Sequence, residues 1–177
     1  MIITASQALA DLFRPMTEAF NEIWLDGEKA ASVEYWQKDI AKFKLDEVRN
    51  HDNGHGTLTG HPVEPIYGRT YLPKKFKMAI TVPGDNSVDL YINDVGAVVI
   101  MNPDGKTVKG FDILVGGGMG RTHRKEETFA RAADHLGFVK EADFFECMKA
   151  IVAVQRDHGN REVRSLWIPS LHILYFV

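Results

Sequence analysis

Tyr67-Gly68-Arg69-Thr70-Tyr71-Leu72-Pro73-Lys74-Lys75-Phe76-Lys77-Met78-Ala79-Ile80-Thr81-Val82 passes from turn-forming residues straight into an apolar, partly β-branched run. In an extended strand successive side chains point to opposite faces. Lys75 and Lys77 are therefore expected on one face, and Phe76 and Met78 on the other. Lysine suits a strand poorly and is costly to bury unpaired. Two lysines on one face at the mouth of a buried strand read in one of two ways. They form a site for anions, or they blunt an edge strand against aggregation.

Downstream of Lys75 the pattern stays β for some forty residues. Lys77 to Val82 reads as a strand and Pro83-Gly84-Asp85-Asn86 as a turn. Val88 to Ile92 alternates, Asn93-Asp94 is the next turn signal, and Gly96 to Met101 returns as its hairpin partner. Asn102-Pro103-Asp104-Gly105 closes that unit, and Lys109 to Val115 is a further strand. Residues 126–136 then carry Phe129, Ala132, Ala133 and Leu136 at helical spacing, with Gly137 as a C-cap. Residues 141–157 predict a second amphipathic helix built on Phe144, Phe145, Met148, Ile151, Val152 and Val154. Strands followed by helices in this order predict an α+β fold. Its sheet should be antiparallel or mixed, with helices packed on one side.

Upstream, Leu9, Leu12, Phe13, Met16, Ala19, Phe20 and Ile23 predict a helix over residues 5–22, kinked or restarted at Pro15. Trp24-Leu25-Asp26-Gly27-Glu28-Lys29 reads as a short strand and turn. Residues 46–65 contain Gly54, Gly56, Gly60, Pro62 and Pro65 and read as a loop or linker. Their histidines, His51, His55 and His61, lack the periodicity and carboxylate partner of a metal motif, so no metal ligands are assigned.

The 177 residues suffice for one domain with a real core, or one domain plus an appended segment. Hydrophobic content of 45% and charged content of 25% are ordinary for a globular protein. A net charge of −3 makes no case for nucleic-acid binding. No apolar run approaches the ~20 residues that span a membrane, and the N-terminus has no basic region before an apolar core. The single cysteine, Cys147, excludes an internal disulfide and any all-cysteine metal site built from this chain alone. A cytoplasmic location is the expectation.

A second segment bears on the lysines. Phe111-Asp112-Ile113-Leu114-Val115 reads as a buried strand and runs into Gly116-Gly117-Gly118-Met119-Gly120-Arg121-Thr122-His123. Four glycines in five positions let the backbone approach a bulky ligand, and their N–H groups can bind anions. Arg121, Thr122 and His123 add donors. The run is neither a Walker A loop nor a dinucleotide fingerprint, since its spacing fits neither; otherwise it is a strand-to-helix turn.

Together these segments resemble the sulfite reductase hemoprotein family, the siroheme and iron–sulfur enzymes that reduce sulfite or nitrite. The resemblance is carried by Glu64-Pro65-Ile66-Tyr67-Gly68, Leu72 to Lys77, Asp85 to Leu90 with Asn93-Asp94, Leu114 to His123, Thr128-Phe129-Ala130-Arg131 and Gln155 to Arg161. It covers roughly residues 10–164 and is nearest the ferredoxin-dependent branch. The Gly-Gly-Gly-Met-Gly-Arg-Thr-His form is more like sulfite than nitrite reductases.

The resemblance implies a central fragment of an assimilatory sulfite reductase, with the fold of the siroheme-binding half. The alternatives are a nitrite reductase of the same family and a non-catalytic siroheme-fold binding module. Residues 1–45 would end the preceding ferredoxin-like half-domain, 46–65 would be a linker, and 66–164 would be part of the siroheme-binding domain. By the same resemblance Lys75 and Lys77 are the catalytic lysines over siroheme. Lys74, Gly116, Gly117, Gly118, Met119, Gly120, Arg121, Thr122, His123, Asn160, Arg161 and Arg164 belong to the cofactor shell. For His123 a loop role stands beside direct contact, and Arg156 and Asp157 read as a surface pair near a helix end. Two further arginines of the family's anion pocket would come from a segment N-terminal to this one. Sulfite is the implied substrate, with ferredoxin or a flavoprotein reductase as electron donor. Family members hold a 4Fe–4S cluster on four cysteines, whereas this chain has only Cys147, so it is expected to lack the cluster ligands and to be inactive alone. Residues 165–177 depart from the pattern into an apolar tail, read as a truncation or altered reading frame, or else as a membrane-contacting or dimerising segment.

Overall fold

A computed structural model describes residues 2–16, 22–26, 28–32, 41–52, 54, 57–120, 123–124 and 129–161. The chain divides between Arg69 and Thr70 into two compact units.

The first unit opens with helix α1, Ile2–Leu12, whose buried Ala5, Ala8, Leu9 and Leu12 form one apolar stripe. The helix begins earlier than its sequence pattern predicts and stops before Pro15; residues 17–21, where the pattern continues, lie outside the described residues. Its last carbonyls are capped from a distance. Arg49, 3% exposed, donates Nη2 to the Asp11 carbonyl at 2.8 Å and Nε to that of Leu12 at 3.4 Å. The Tyr67 hydroxyl donates to the Phe13 carbonyl at 2.7 Å. Cationic and hydroxyl donors at a helix C-terminus satisfy its orphan acceptors. Strands β1, Glu22–Leu25, and β2, Glu28–Ser32, form an antiparallel pair, as the Trp24–Lys29 reading expects.

The stretch 46–65, read as loop throughout, begins inside helix α2, Leu45–Asn50. Six residues are too few to show a period. What holds them is tertiary: Arg49 ties α2 to α1 through the Leu12 and Asp11 carbonyls and ion pairs with Asp11 and Asp46. His61 serves the loop itself, its Nδ1 accepting the Glu64 N–H at 3.0 Å. His55 lies outside the described residues.

Among the described residues the second unit is a four-stranded mixed sheet with one long helix, an α+β arrangement. Its strands are β3, Met78–Thr81; β4, Val95–Met101; β5, Val108–Val115; and β6, Asp134–Lys140. They lie in the order β3-β4-β5-β6, with β3 parallel to β4 and the other neighbours antiparallel. Helix α3, Phe144–His158, follows a short 3-10 turn at Glu141–Asp143. Val95, Ala97 and Val99 of β4 pair with Val115, Ile113 and Phe111 of β5 on one buried face. There Phe111 stacks on Phe144 of α3 at 3.7 Å between ring centroids. Each of these valine, isoleucine and phenylalanine side chains contributes about 1.5–3 kcal/mol by leaving water.

The other face carries Leu114 and Val98, covered by Leu90 and Ala133. This cover explains two departures from expectation. Val88 to Ile92 is not a strand pairing with 96–101. Leu90–Ile92 forms a 3-10 turn within the crossover that a parallel β3–β4 pair requires. Asn86 Oδ1 accepts the Leu90 N–H, and Asn93 Nδ2 donates to the Val88 and Asp89 carbonyls. Nor do the described residues of 126–136 form a helix. Gly118 and Arg131 bridge as in an antiparallel pair, and Asp134 begins β6 along the edge of β5. The helical spacing of Phe129, Ala132, Ala133 and Leu136 loses to strand pairing, and Phe129 remains 46% exposed. The predicted helix at 141–157 is present, beginning at Phe144.

Candidate functional site

The ladder of β3 begins at Met78, so Lys74, Lys75 and Lys77 sit in the loop before it. Strand alternation consequently does not govern their directions. Lys75 is exposed, while Lys74 and Lys77 are half-buried. What organises them is Asp94, the residue preceding β4 and only 4% exposed. Its Oδ2 accepts the Lys77 backbone N–H at 2.7 Å. The Lys77 carbonyl in turn accepts the Val95 N–H at 3.1 Å, which starts the parallel pairing. The Lys77 ammonium reaches the Ile92 carbonyl at 3.5 Å.

The charges at this end of the sheet oppose and support one another. Burial pushes the Asp94 carboxyl above the usual carboxylate range, and the Lys77 amide and the Lys77 and Lys74 charges pull it back. Burial pushes the Lys74 ammonium below its ordinary value, and Asp94 opposes that shift. Asp94 thus acts electrostatically on both Lys74 and Lys77.

Asp94 also reaches the glycine run, its carbonyl accepting the Gly116 N–H at 2.9 Å. Much of that run answers to packing. A Cβ on Gly117 would lie 2.3 Å from the Tyr91 carbonyl oxygen and 2.5 Å from that of Asn93, so only glycine lets the loop pass. Gly118 exchanges two backbone hydrogen bonds with Arg131, at 2.8 and 3.0 Å. Gly120 differs, since a Cβ there meets nothing within 4 Å, and neighbouring Met119 is 71% exposed. His123 is exposed; Arg121, Thr122 and Arg164 lie outside the described residues.

The end of α3 closes on the loop just before the lysines. A Cβ on Gly159 would lie 2.6 Å from Cγ of Pro73, so glycine permits that approach. Arg161 donates to the carbonyls of Thr70 at 3.1 Å, Tyr71 at 2.6 Å and Arg156 at 3.0 Å. Its guanidinium thus holds the 70–71 turn. Asn160 is half-buried beside it. Arg156 is 6% exposed and paired with Asp157 at 2.6 Å, so its side chain belongs to the interior and not to a surface pair.

Segments far apart in sequence thus meet: Lys77 with Gly116 through Asp94, and the turn before Lys74 with the end of α3 through Arg161 and Gly159. Asp94 and Gly159 were not legible as site residues. Asp94 reads locally as half of an Asn-Asp turn, and nothing nearby announces that it is buried. Positive charge at 74, 75 and 77 in one loop, tied at Lys77 to the residue whose carbonyl holds Gly116, suits an anion. Cys147, on α3, has its thiol pushed up by burial and by Asp143, and is therefore a neutral thiol. Among the described residues no helix is long and apolar enough to cross a membrane.

The chain is 50% identical over 161 residues to a sulfite reductase (ferredoxin) of Synechococcus elongatus, covering 91% of this chain and 24% of that protein. It is 45% identical over 159 residues to a sulfite reductase (NADPH) hemoprotein beta-component of Shewanella denitrificans, covering 90% and 23%. It thus spans about a quarter of the length of these relatives. A structure of the Mycobacterium tuberculosis NirA protein is 31% identical, covering 54% of this chain and 16% of its own, with a TM-score of 0.42. The family model described as the nitrite and sulphite reductase 4Fe-4S domain matches residues 4–166, which take in Lys74, Asp94, the glycine run and Arg161, and it is to this family that the chain belongs.

Proposed function

We propose that this chain is part of a sulfite-reducing enzyme and supplies one wall of its siroheme and anion site. The observation that carries the reading is the convergence of Lys74, Lys77 and the glycine run around Asp94, in a chain 50% and 45% identical to two sulfite reductases. The family description includes nitrite as well; the reading follows these two relatives. Ferredoxin or a flavoprotein would deliver the electrons, in a cytoplasmic setting. In the same reading residues 1–45 close the preceding half-domain, 46–65 link, 66–164 form part of the siroheme-binding domain, and 165–177 are a divergent tail.

The residues present fit a tetrapyrrole bearing carboxylates. Lys74 and its neighbours offer ammonium groups, Gly120 leaves open space where any other residue would place a Cβ, and Met119 offers exposed apolar surface. Siroheme, when bound, supplies the iron and the conjugated system for electron transfer. Lys75 and Lys77 hold positive charge toward the sulfite oxygens and hold protons at Nζ, ready for a reduction that consumes them. Lys74 would hold one of the siroheme carboxylates, Met119, Gly120, Arg121, Thr122 and His123 would line the cofactor, and Asn160, Arg161 and Arg164 would begin the basic segment for its carboxylates. The 4Fe–4S cluster does not fit this chain. One neutral, half-buried thiol cannot stand for four thiolates, so no step is assigned to the cluster here. The chain expressed alone with iron, sulfide and siroheme supply should therefore contain no stoichiometric acid-labile sulfide and no iron beyond that of bound siroheme.

The reading is tested by placing residues 4–164 into the corresponding part of the Synechococcus relative. Sulfite turnover is expected from the chimera. In it, Lys75→Met or Lys77→Met should lower turnover by about 10²-fold or more with siroheme content retained. Lys74→Met should reduce siroheme retention more than turnover per bound siroheme. A folded, siroheme-loaded chimera that reduces nitrite but not sulfite would overturn it.

A further inference from the structure

An anion-binding loop must keep its ammonium groups charged and aimed, and the loop 74–77 has no helix or strand ladder of its own to aim it. Partial burial at Lys74 works against its charge. One residue answers both needs. Asp94 contacts the lysine loop through Oδ2 on the Lys77 N–H at 2.7 Å and the glycine run through its carbonyl on the Gly116 N–H at 2.9 Å. Both bonds leave a single buried residue at the first rung of the β3–β4 pair, Met78 opposite Val95. Among the described residues, the charged groups acting on its carboxylate are Lys77 and Lys74, and its remaining partners are the backbone N–H groups of Lys77 and of Asp94 itself.

We propose that Asp94 is the positioning residue of this site: it locks the lysine loop to the glycine run and supplies the buried negative charge that faces Lys74 and Lys77 but not Lys75. The functional meaning of that role rests on the reading of the lysines as anion-facing; the coupling itself does not. Asp94 does not touch substrate in this scheme. It sets where Lys77 leaves the backbone and sustains the ammonium of Lys74 against its burial.

The test uses the full chain and needs neither siroheme nor sulfite, so its failure is distinct from failure of the sulfite-reductase reading. Carboxyl carbon shifts of Asp94 are followed by NMR against pH. Lys74→Gln and Lys77→Gln should each move the Asp94 titration to higher pH, because each removes a favourable charge, while Lys75→Gln leaves it in place. Separately, Asp94→Asn keeps an acceptor for the Lys77 N–H and removes the charge. In that variant the pH profile of Lys74 acylation should move to lower pH relative to Lys75 in the same digest. A merely structural aspartate would move neither titration. If Lys74→Gln and Lys77→Gln leave the Asp94 titration where it was, or if Lys75→Gln moves it as far, the proposal is wrong. Should Asp94→Asn fail to fold, the three lysine variants decide the matter on their own.

Discussion

Gly117 and Gly120 stand three residues apart in one glycine run, yet they answer to different forces. Gly117 is glycine because backbone oxygens of Tyr91 and Asn93 crowd the place a Cβ would take. Gly120 faces open space. Gly117→Ala should therefore destabilise the chain by on the order of 3 kcal/mol, the upper range for overpacking against atoms that cannot move aside. Gly120→Ala should stay within about 0.5 kcal/mol, as surface changes do. Urea unfolding of the two variants checks both; a Gly120→Ala variant as unstable as Gly117→Ala would show that the open side of the run is not open. A similar contrast holds for Lys149, fully buried on α3, with Glu146 at 2.9 Å. Removing Glu146 as Glu146→Gln leaves a buried ammonium less compensated and should cost about 2 kcal/mol, lowered from the fully buried case because Glu146 is a third exposed. Lys149→Met, which removes the charge and keeps the stem, should cost less. Equal losses in the two variants would mean that packing of the stem, not its charge, sets the energetics.

At the scale of elements, the end of α3 is what shapes the loop that carries the lysines. Arg161 spreads one guanidinium over the carbonyls of Thr70, Tyr71 and Arg156. Tyr71 holds a left-handed backbone, φ 52°, which is unfavourable for a residue with a side chain. Arg161→Ala should free this turn, with faster amide exchange from residue 70 to residue 77 and a loss of about 1 kcal/mol. Arg161→Lys retains the charge without the planar fork and should fall between the two. Unchanged exchange in Arg161→Ala would show that Gly159 packed on Pro73 holds the turn without it. The same scale explains what the sequence pattern missed. The period of Phe129, Ala132, Ala133 and Leu136 is a fair helical signal, but the edge of β5 offers hydrogen bonds that a helix there would leave open, and β6 takes them. Val88 to Ile92 alternates as a strand does, but Leu90 is needed over Leu114 and Val98, and a turn delivers it there.

For the whole molecule, the buried carboxylate sets a pH dependence. Asp94 holds its proton to higher pH when folded than when unfolded. Between the ordinary carboxylate value and that raised value the folded chain binds more protons, so stability falls as pH rises through this window, and the loss is complete above it. Asp85 and Asp104 act with the opposite sign: backbone N–H groups of Ser87 in one case and of Lys106 and Thr107 in the other lower their carboxyls, and their support is lost as pH falls. Both are fully exposed, so their effect is small. Asp94→Asn should match the parent chain at about pH 3 and gain on it toward about pH 7, where only the parent buries a charge. Urea midpoints across that range check the sign, and a variant that loses stability as pH rises would refute it. The short apolar runs and the helical period of the chain sufficed for β3, β4, β5 and α3, because β4 and β5 are covered on both faces and α3 buries one, and that burial writes itself into residue type and spacing. The motifs at 72–77 and 114–123 likewise sufficed for the family. Tertiary structure alone decided the parallel pairing of β3 with β4, the strand at 134–140 and the burial of Asp94. Pairing partners, edge hydrogen bonds and the burial of one carboxylate are all set by residues distant in the chain, and no local spacing encodes them.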